Sequence, residues 1–597
     1  MTKGYEYLEQ PCRNFCFFKG ILIQDPKDNK EKVVLSSFVA GGVGEVLIID
    51  PESGEGETIK IPGDNGAWAL FNYKNERLLV GTCGTYGYLH SLELKSRTWM
   101  PSLKLEGVTY IWDLAMASDG KVYGCTYPGC YLLRYDPDSH TLVNLGHMTK
   151  DPGNLYSRLV FTPVPGKVYV NCGLSTDTIG VYDIEKNEMS TVLDGCGILK
   201  ADKKYLYIRT PEGNKLVHPE TFEEIQDQAL LDEATKTDER LPKPYGHVMK
   251  LSNGNTIGVC GQRLFILKPD DQKPTFMDVP CVPPPTEIFA MTCDDDGILW
   301  GATGLGQTMF RYDPKTGEYW NSDIVTLHGG EVYGIVSCEG KIFMTAYSGG
   351  DHSVYDPKKE WNRVDNINPL TLESVGPDYI RPQARSIIGP DNNIWTGWIA
   401  RYGSYGLAIT EINSKTYEVR KFTDLVPGQG IGWIAGDSEN IYFTTNGSGN
   451  GLVAKTEEFY LVKMSKNGEI LNKIKFPLGT HLSFVYACDD KVLLYTSCEG
   501  KSILHIYDPK TMEEIRSEQI DYGVGRMIPM IEGKILAFVY RHKEGRHYKA
   551  LAVINSDTLS LEQETEIPKH THGFCYNKKD GYIYFGQGSE LYRIKYQ

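Results

Sequence analysis

A chain of 597 residues is too long for one hydrophobic core of ordinary size, so more than one domain is expected. Its formal net charge of −15 argues against nucleic acid as the main partner, because phosphate binding needs a basic surface. No apolar run reaches the roughly 18 residues of a membrane span; 62 Gly and 38 Tyr suit a soluble all-β protein rich in tight turns.

The opening stretch, MTKGYEYLEQPCRNF, has no apolar core and no small-residue cleavage site, so it does not read as a signal peptide, and a cytoplasmic location is expected. Most cysteines fall inside strand patterns, such as Cys83, Cys125, Cys260 and Cys575, where they serve as small apolar residues. There is no C-x-x-C, and neither Cys12/Cys16 nor Cys125/Cys130 has partners at zinc-site spacing. A first strand is expected over residues 14–24, followed by the charged loop DPKDNKEK.

From there a strand pair recurs along the chain. Its clearest copy is GILWGATGLGQTMFRYDPKTGEYW (297–320), with others at 119–142, 340–360 and 490–511. Each has alternating apolar and polar positions, a Gly-rich turn and a closing Tyr-Asp-Pro. With weaker copies such as 76–99, 254–277 and 392–422, the repeat amounts to about 13 units. Units of this length with four short strands cannot cover both sheet faces alone and close into rings of four to eight, so two tandem β-propellers are expected.

The stretch at 226–244 is the one helical candidate and reads as a loop insertion; VPCVPPPTE (279–287) breaks the pattern, since consecutive prolines cannot sit in a central strand. The boundary is therefore set there, giving a first propeller at 1–282 and a second, seven-bladed one at 283–597. The last unit ends at LYRIKYQ, short of a fourth strand. The N-terminal strand is a candidate to complete it.

The pattern D-G-I-L-W-G-A-T followed by F-R-Y-D-P-K-T-G, carried by 296–317 and more weakly by 119–138, resembles the blade motif of streptogramin B (virginiamycin B) lyase-like propellers. It is similar also to the paired propellers in front of some bacterial hybrid sensor kinases. The resemblance implies the fold; its motifs specify strands and turns and carry no chemistry.

In a propeller, the starts of innermost strands and the loops between second and third strands open on one face. In the second ring those places hold Glu331, Tyr333, Gln383, Arg385, Trp433, His481, Arg526, His570 and His572, with His352, Arg401, Tyr402 and the run 541–547 from the loops. This cationic, His-rich set in an acidic chain calls for an anionic ligand. Arg385, Arg526, Glu331, Gln383, Arg401 and Trp433 are the expected substrate contacts, with Glu331 also the expected partner of the two arginines. His481, His572 and Tyr402 are the expected acid and base groups. His570 and His572 would start a divalent metal site, although packing or hydrogen bonding is the simpler role for them. In the first ring Trp68, Trp112, Tyr156 and Tyr245 are read as wedges between blades, with stacking on sugar rings the alternative.

There is no G-x-S-x-G elbow, P-loop or H-E-x-x-H. The leading reading, from the Arg and His set together with the resemblance, is an enzyme acting on an anionic small molecule or oligosaccharide by β-elimination beside a carboxylate; the alternatives are a scaffold for a protein or glycan partner and a sugar-binding sensor.

Overall fold

The computed structural model describes residues 4–477, 479–531, 533–543 and 545–596. Among them are thirteen antiparallel sheets, nearly all of four strands taken in chain order, and no helix long and apolar enough to cross a membrane. The chain divides into two compact units, Phe15–Pro283 and Met1–Asn14 with Pro284–Gln597. Both are propellers, of six and seven blades.

In the six-bladed unit the innermost strands are Phe17–Asp25, Gly66–Tyr73, Tyr110–Met116, Tyr156–Phe161, Gly197–Ala201 and Tyr245–Lys250. The first packs against both the second and the last, which closes the ring. The fifth blade has three strands only. Its chain continues into the helix Gln228–Thr235, inside the expected insertion, capped by Asp227, whose side chain accepts from the Leu230 N–H. Ala234, Leu230 and Leu231 of that helix pack on Tyr205, Tyr207 and Leu216.

The seven-bladed unit runs its innermost strands through Ile288–Cys293, Val332–Cys338, Ser386–Ile388, Gly430–Gly436, Thr480–Cys488, Gly523–Pro529 and Thr571–Asn577. Ile288–Cys293 lies between Val332–Cys338 and Thr571–Asn577 and so closes this ring. The outermost strand of the last blade is Glu6–Glu9, antiparallel to Glu590–Lys595 with Glu6 opposite Arg593 and Tyr7 opposite Tyr592. The strand expected at 14–24 is thus not the one that completes the last blade: as Phe17–Asp25 it stays in the first propeller, while the segment before it, assigned from the sequence to the first propeller, belongs to the second. The Arg593 Nε–H donates to Glu6 Oε2 at 2.7 Å across this pairing.

The core of each ring is a series of clusters shared by neighbouring sheets, as expected where no single sheet buries both faces. Val34, Val46 and Ile48 of one blade meet Leu70, Leu78 and Val80 of the next; Leu493 and Leu504 meet Ile535, Ala537 and Val539. The closure of the seven-bladed ring is sealed by Ile288, Leu299 and Phe310 against Cys575, Tyr584 and Leu591, with Cys12 and Leu8 from the N-terminal segment.

Deleting residues 1–10 removes that strand and uncovers a sheet edge. Loss of the Leu8 and Tyr5 burial, worth roughly 1.5–3 kcal/mol, should lower the melting of the seven-bladed unit by about 5 °C in scanning calorimetry. An unchanged melting profile would contradict this closure.

Candidate functional site

Each innermost strand of the seven-bladed unit is interrupted near its start. Register shifts fall at Ile288/Ala290, Val332/Gly334, Tyr379/Arg381, Ile431/Ile434, Leu482/Phe484, Val524/Met527 and Thr571/Phe574. A bulge leaves its extra residues outside the ladder and re-aims their side chains. The residues freed in this way include Phe289, Tyr333, Arg526 and His572, and three of them meet: Phe289 lies 5.0 Å from Tyr333 and 5.9 Å from His572, ring to ring.

The third blade breaks more severely. Tyr379–Arg381 and Ser386–Ile388 both pair with Ile394–Ala400, and Pro382, which has no N–H to donate, stands between them. Arg385 takes a left-handed φ of 58°, a conformation a non-glycine residue adopts only where its surroundings hold it. A chain of hydroxyls anchors the turn: Ser386 Oγ is 2.8 Å from Thr345 Oγ1 and 2.9 Å from Thr396 Oγ1. This break delivers Arg381 and Arg385 to the axis.

A cavity of about 530 Å³ runs along that axis, lined by all seven innermost strands, with Met291, Ile335, Ile434, Val485 and Met527 among its apolar wall. Arg385 and Arg526 line it, and Asp294, Asp295, Lys578 and Lys579 stand at its other end. The Arg385 Nη1–H donates to the Phe289 carbonyl at 3.1 Å and its guanidinium lies 4.8 Å over the Phe289 ring. Arg526 lies 5.1 Å over Phe574, and its Nη1 is buried with no hydrogen-bond partner among the described residues. Burial lowers Arg385 to about 10, against the opposing pull of Tyr333 and Glu287. Burial and the adjacent Arg385 lower Arg526 to about 9. Two neighbouring guanidiniums, one lowering the other, with no carboxylate ion-paired to either among the described residues, form an incomplete electrostatic site.

Around this pair stand further titratable groups. His572 Nε2 is 3.2 Å from Glu287 Oε1, and burial, with Lys549 and Arg385 nearby, pushes His572 down to about 4. Burial raises Glu287, partly offset by Arg385. Lys549 is buried; its Nζ donates to the Thr571 carbonyl at 2.6 Å and sits 3.6 Å over Phe538, and burial lowers it to about 8. Glu331 is pushed up to about 7 by burial despite Arg381, and its Oε2 has no partner among the described residues. Arg381 donates to Tyr402 Oη at 2.6 Å and lies within 4.5–6.0 Å of the rings of Tyr347, Tyr402 and Tyr333. Burial would lower Arg381, but those three phenols hold it above the ordinary arginine range.

Several expectations from the sequence need correction. Trp433 does line the cavity, but it is 9 % exposed and its ring packs edge-on against Phe484 at 4.8 Å. His481 is exposed, 6.3 Å from the ring of Phe459, and does not line the cavity. Gln383 and Arg401 are exposed and also lie outside its lining; Glu331, Tyr402 and His572 lie outside it too, but are partly buried. The guanidinium acting on Glu331 is Arg381, not Arg385 or Arg526. His352 is a core residue, bonded to the Glu373 carbonyl and Thr410. For the run 541–547 the favoured reading from the sequence, a charged hairpin tip, fits instead: Arg541 is held by Glu564 and Asp521 and His542 stacks on His547 at 4.2 Å, while Glu544 lies outside the described residues. His570 is exposed, and among the described residues no group of three or more His, Cys, Asp or Glu could hold a metal ion. The His570/His572 pair does not fit a divalent metal.

The six-bladed unit has the same interruptions, and they free Phe18, Trp68, Trp112 and Arg158. Phe18 stacks on Trp68 at 3.9 Å, Trp68 lies 4.7 Å from Trp112, and Arg158 covers Trp112 and Tyr156. These faces are spent on one another.

No family model and no curated protein matches the chain. Solved structures similar to it are β-propeller proteins. They include the extracellular domain of the one component system BT4673 from B. thetaiotaomicron, at 13 % identity over 100 % of this chain and 84 % of that one, TM-score 0.29. Another is virginiamycin B lyase from Staphylococcus aureus, at 14 % identity over 52 % of this chain and 96 % of that one, TM-score 0.39. At these values they carry no argument about activity.

Because the Arg526 charge is buried without a counter-charge, Arg526→Met should raise the stability of the ligand-free protein, by roughly 1–3 kcal/mol in thermal unfolding. A loss of stability would show that an unseen partner satisfies it. Glu331 binds its proton more tightly folded than unfolded, so its stabilising contribution is complete below its ordinary value of 4.5 and is lost as pH rises through about 7. Glu331→Gln should therefore gain on the parent protein by on the order of 1–3 kcal/mol between those limits. Parallel melting curves across that window would contradict the assignment.

Proposed function

We propose that the seven-bladed unit is a receptor for a small anionic ligand, such as a sugar acid or acidic oligosaccharide, held in its axial pocket by Arg385 and Arg526. The observation that carries this reading is the buried Arg526 Nη1 without a partner, beside a second guanidinium that forms no ion pair among the described residues. An unpaired buried charge costs several kcal/mol and persists where a ligand offsets it. The apolar walls would take the uncharged face of such a molecule, and Phe289 and Tyr333 stand beside Arg385.

A second reading is β-elimination, favoured by the position of Glu331. A carboxyl raised to about 7 with a free oxygen is suited to removing the proton beside a substrate carboxylate, and His572 is a further candidate base. In that reaction the electron pair of the broken C–H bond forms the new double bond, the C–O bond to the leaving group breaks, and Tyr402, hydrogen-bonded to Arg381, protonates the departing oxygen. The arginines would hold the developing enolate charge.

Thermal-shift titration of the full chain with uronic acids and oligouronides, with absorbance followed for a conjugated double bond, tests both. Binding should raise the melting midpoint by mass action. Arg385→Gln and Arg526→Gln should each weaken it by about 10- to 100-fold, the loss of a charge-assisted hydrogen bond. Stabilisation without new absorbance supports the receptor, and rising absorbance that Glu331→Gln abolishes supports the lyase. No response to any anion would refute both.

A further inference from the structure

The charges around the arginine end of the cavity do not balance, and their imbalance describes the ligand. Arg385 and Arg526 line the cavity; Glu287 and Glu331 from the first two blades, Arg381 from the third, Lys549 from the sixth and His572 from the seventh stand around them outside its lining, and Asp294, Asp295, Lys578 and Lys579 line its other end. Glu331 and Arg381 act on each other, and His572 is neutral near neutral pH. Three cations are left, Arg385, Arg526 and Lys549, against the single carboxyl of Glu287, and none of the three makes an ion pair with a carboxylate among the described residues.

These cations are held together by an aromatic frame. Lys549 sits 3.6 Å over Phe538, Phe538 lies 4.4 Å from Phe574, and Phe574 carries Arg526 at 5.1 Å. On the other side Arg385 covers Phe289, which lies 5.9 Å from His572, the residue next to the carbonyl that Lys549 binds. Aromatic faces tolerate cations without neutralising them. The frame therefore fixes the three charges while leaving an excess of two.

Building on the receptor reading, we infer that the ligand carries two negative charges on one compact group, a phosphate monoester or a geminal or vicinal dicarboxylate, with a small uncharged remainder. A lone carboxylate would leave one buried cation without a counter-charge. The cavity of about 530 Å³ exceeds a bare oxyanion and accommodates a remainder of the size of a sugar.

Isothermal titration calorimetry of the full chain, at fixed ionic strength and neutral pH, decides this with acetate, inorganic phosphate, a hexose phosphate and malonate as probes. The dianions should bind at least about tenfold more tightly than acetate, the increment expected of one further charge contact in a partly buried site. Hexose phosphate above malonate identifies a phosphate monoester, and the reverse order a dicarboxylate. Lys549→Gln and Arg526→Gln should each reduce the preference for dianions to within about threefold while acetate binding by the Lys549 variant persists. Acetate binding as tightly as the dianions would overturn the inference and leave the receptor reading standing; no heat with any probe would overturn both.

Discussion

The site depends on one constraint: every innermost strand of the seven-bladed unit must give up its regular ladder close to the axis. Seven twisted sheets converge there, and a strand that stayed in register would send alternate side chains into its neighbours. The bulge resolves this by freeing one or two residues per blade. The candidate site is then made of a handful of side chains, Phe289, Tyr333, Arg526 and His572 with Arg385 from the broken third blade.

The same geometry in the six-bladed unit is filled with a different chemistry. There the freed side chains Phe18, Trp68 and Trp112 stack on one another, and the freed Arg158 lies over Trp112 and Tyr156. Arg158 is exposed, so water solvates its charge. The seven-bladed unit does the reverse: it concentrates Arg385, Arg526 and Lys549 on aromatic supports and withholds their counter-ions. Stability is sacrificed at one place, as is usual for a binding site.

The fold was legible because strand alternation, Gly-rich turns and the closing Tyr-Asp-Pro repeat along the chain, and these are local signals. Arg385 and Arg526 were legible too, since strand starts can be counted. His481 was misjudged at an equally good position because the direction of a side chain beside a bulge depends on register, which pattern alone does not fix. Arg381 was missed because the split of the third innermost strand around Pro382 has no counterpart in the other blades. Lys549 sits in a third strand, outside the places searched, although a lysine heading the apolar run ALAVI carries a readable hint of burial. Glu287 was hidden in the proline-rich connector.

The central claim is that Arg385 and Arg526 hold an anion on the axis of the seven-bladed ring. Anomalous diffraction from crystals soaked in selenate tests it most directly, because the scatterer marks its own position. The account predicts a peak inside the axial cavity within hydrogen-bonding distance of both guanidiniums, absent from the Arg526→Gln variant. Peaks confined to the outer surface, with an empty axis, would contradict it.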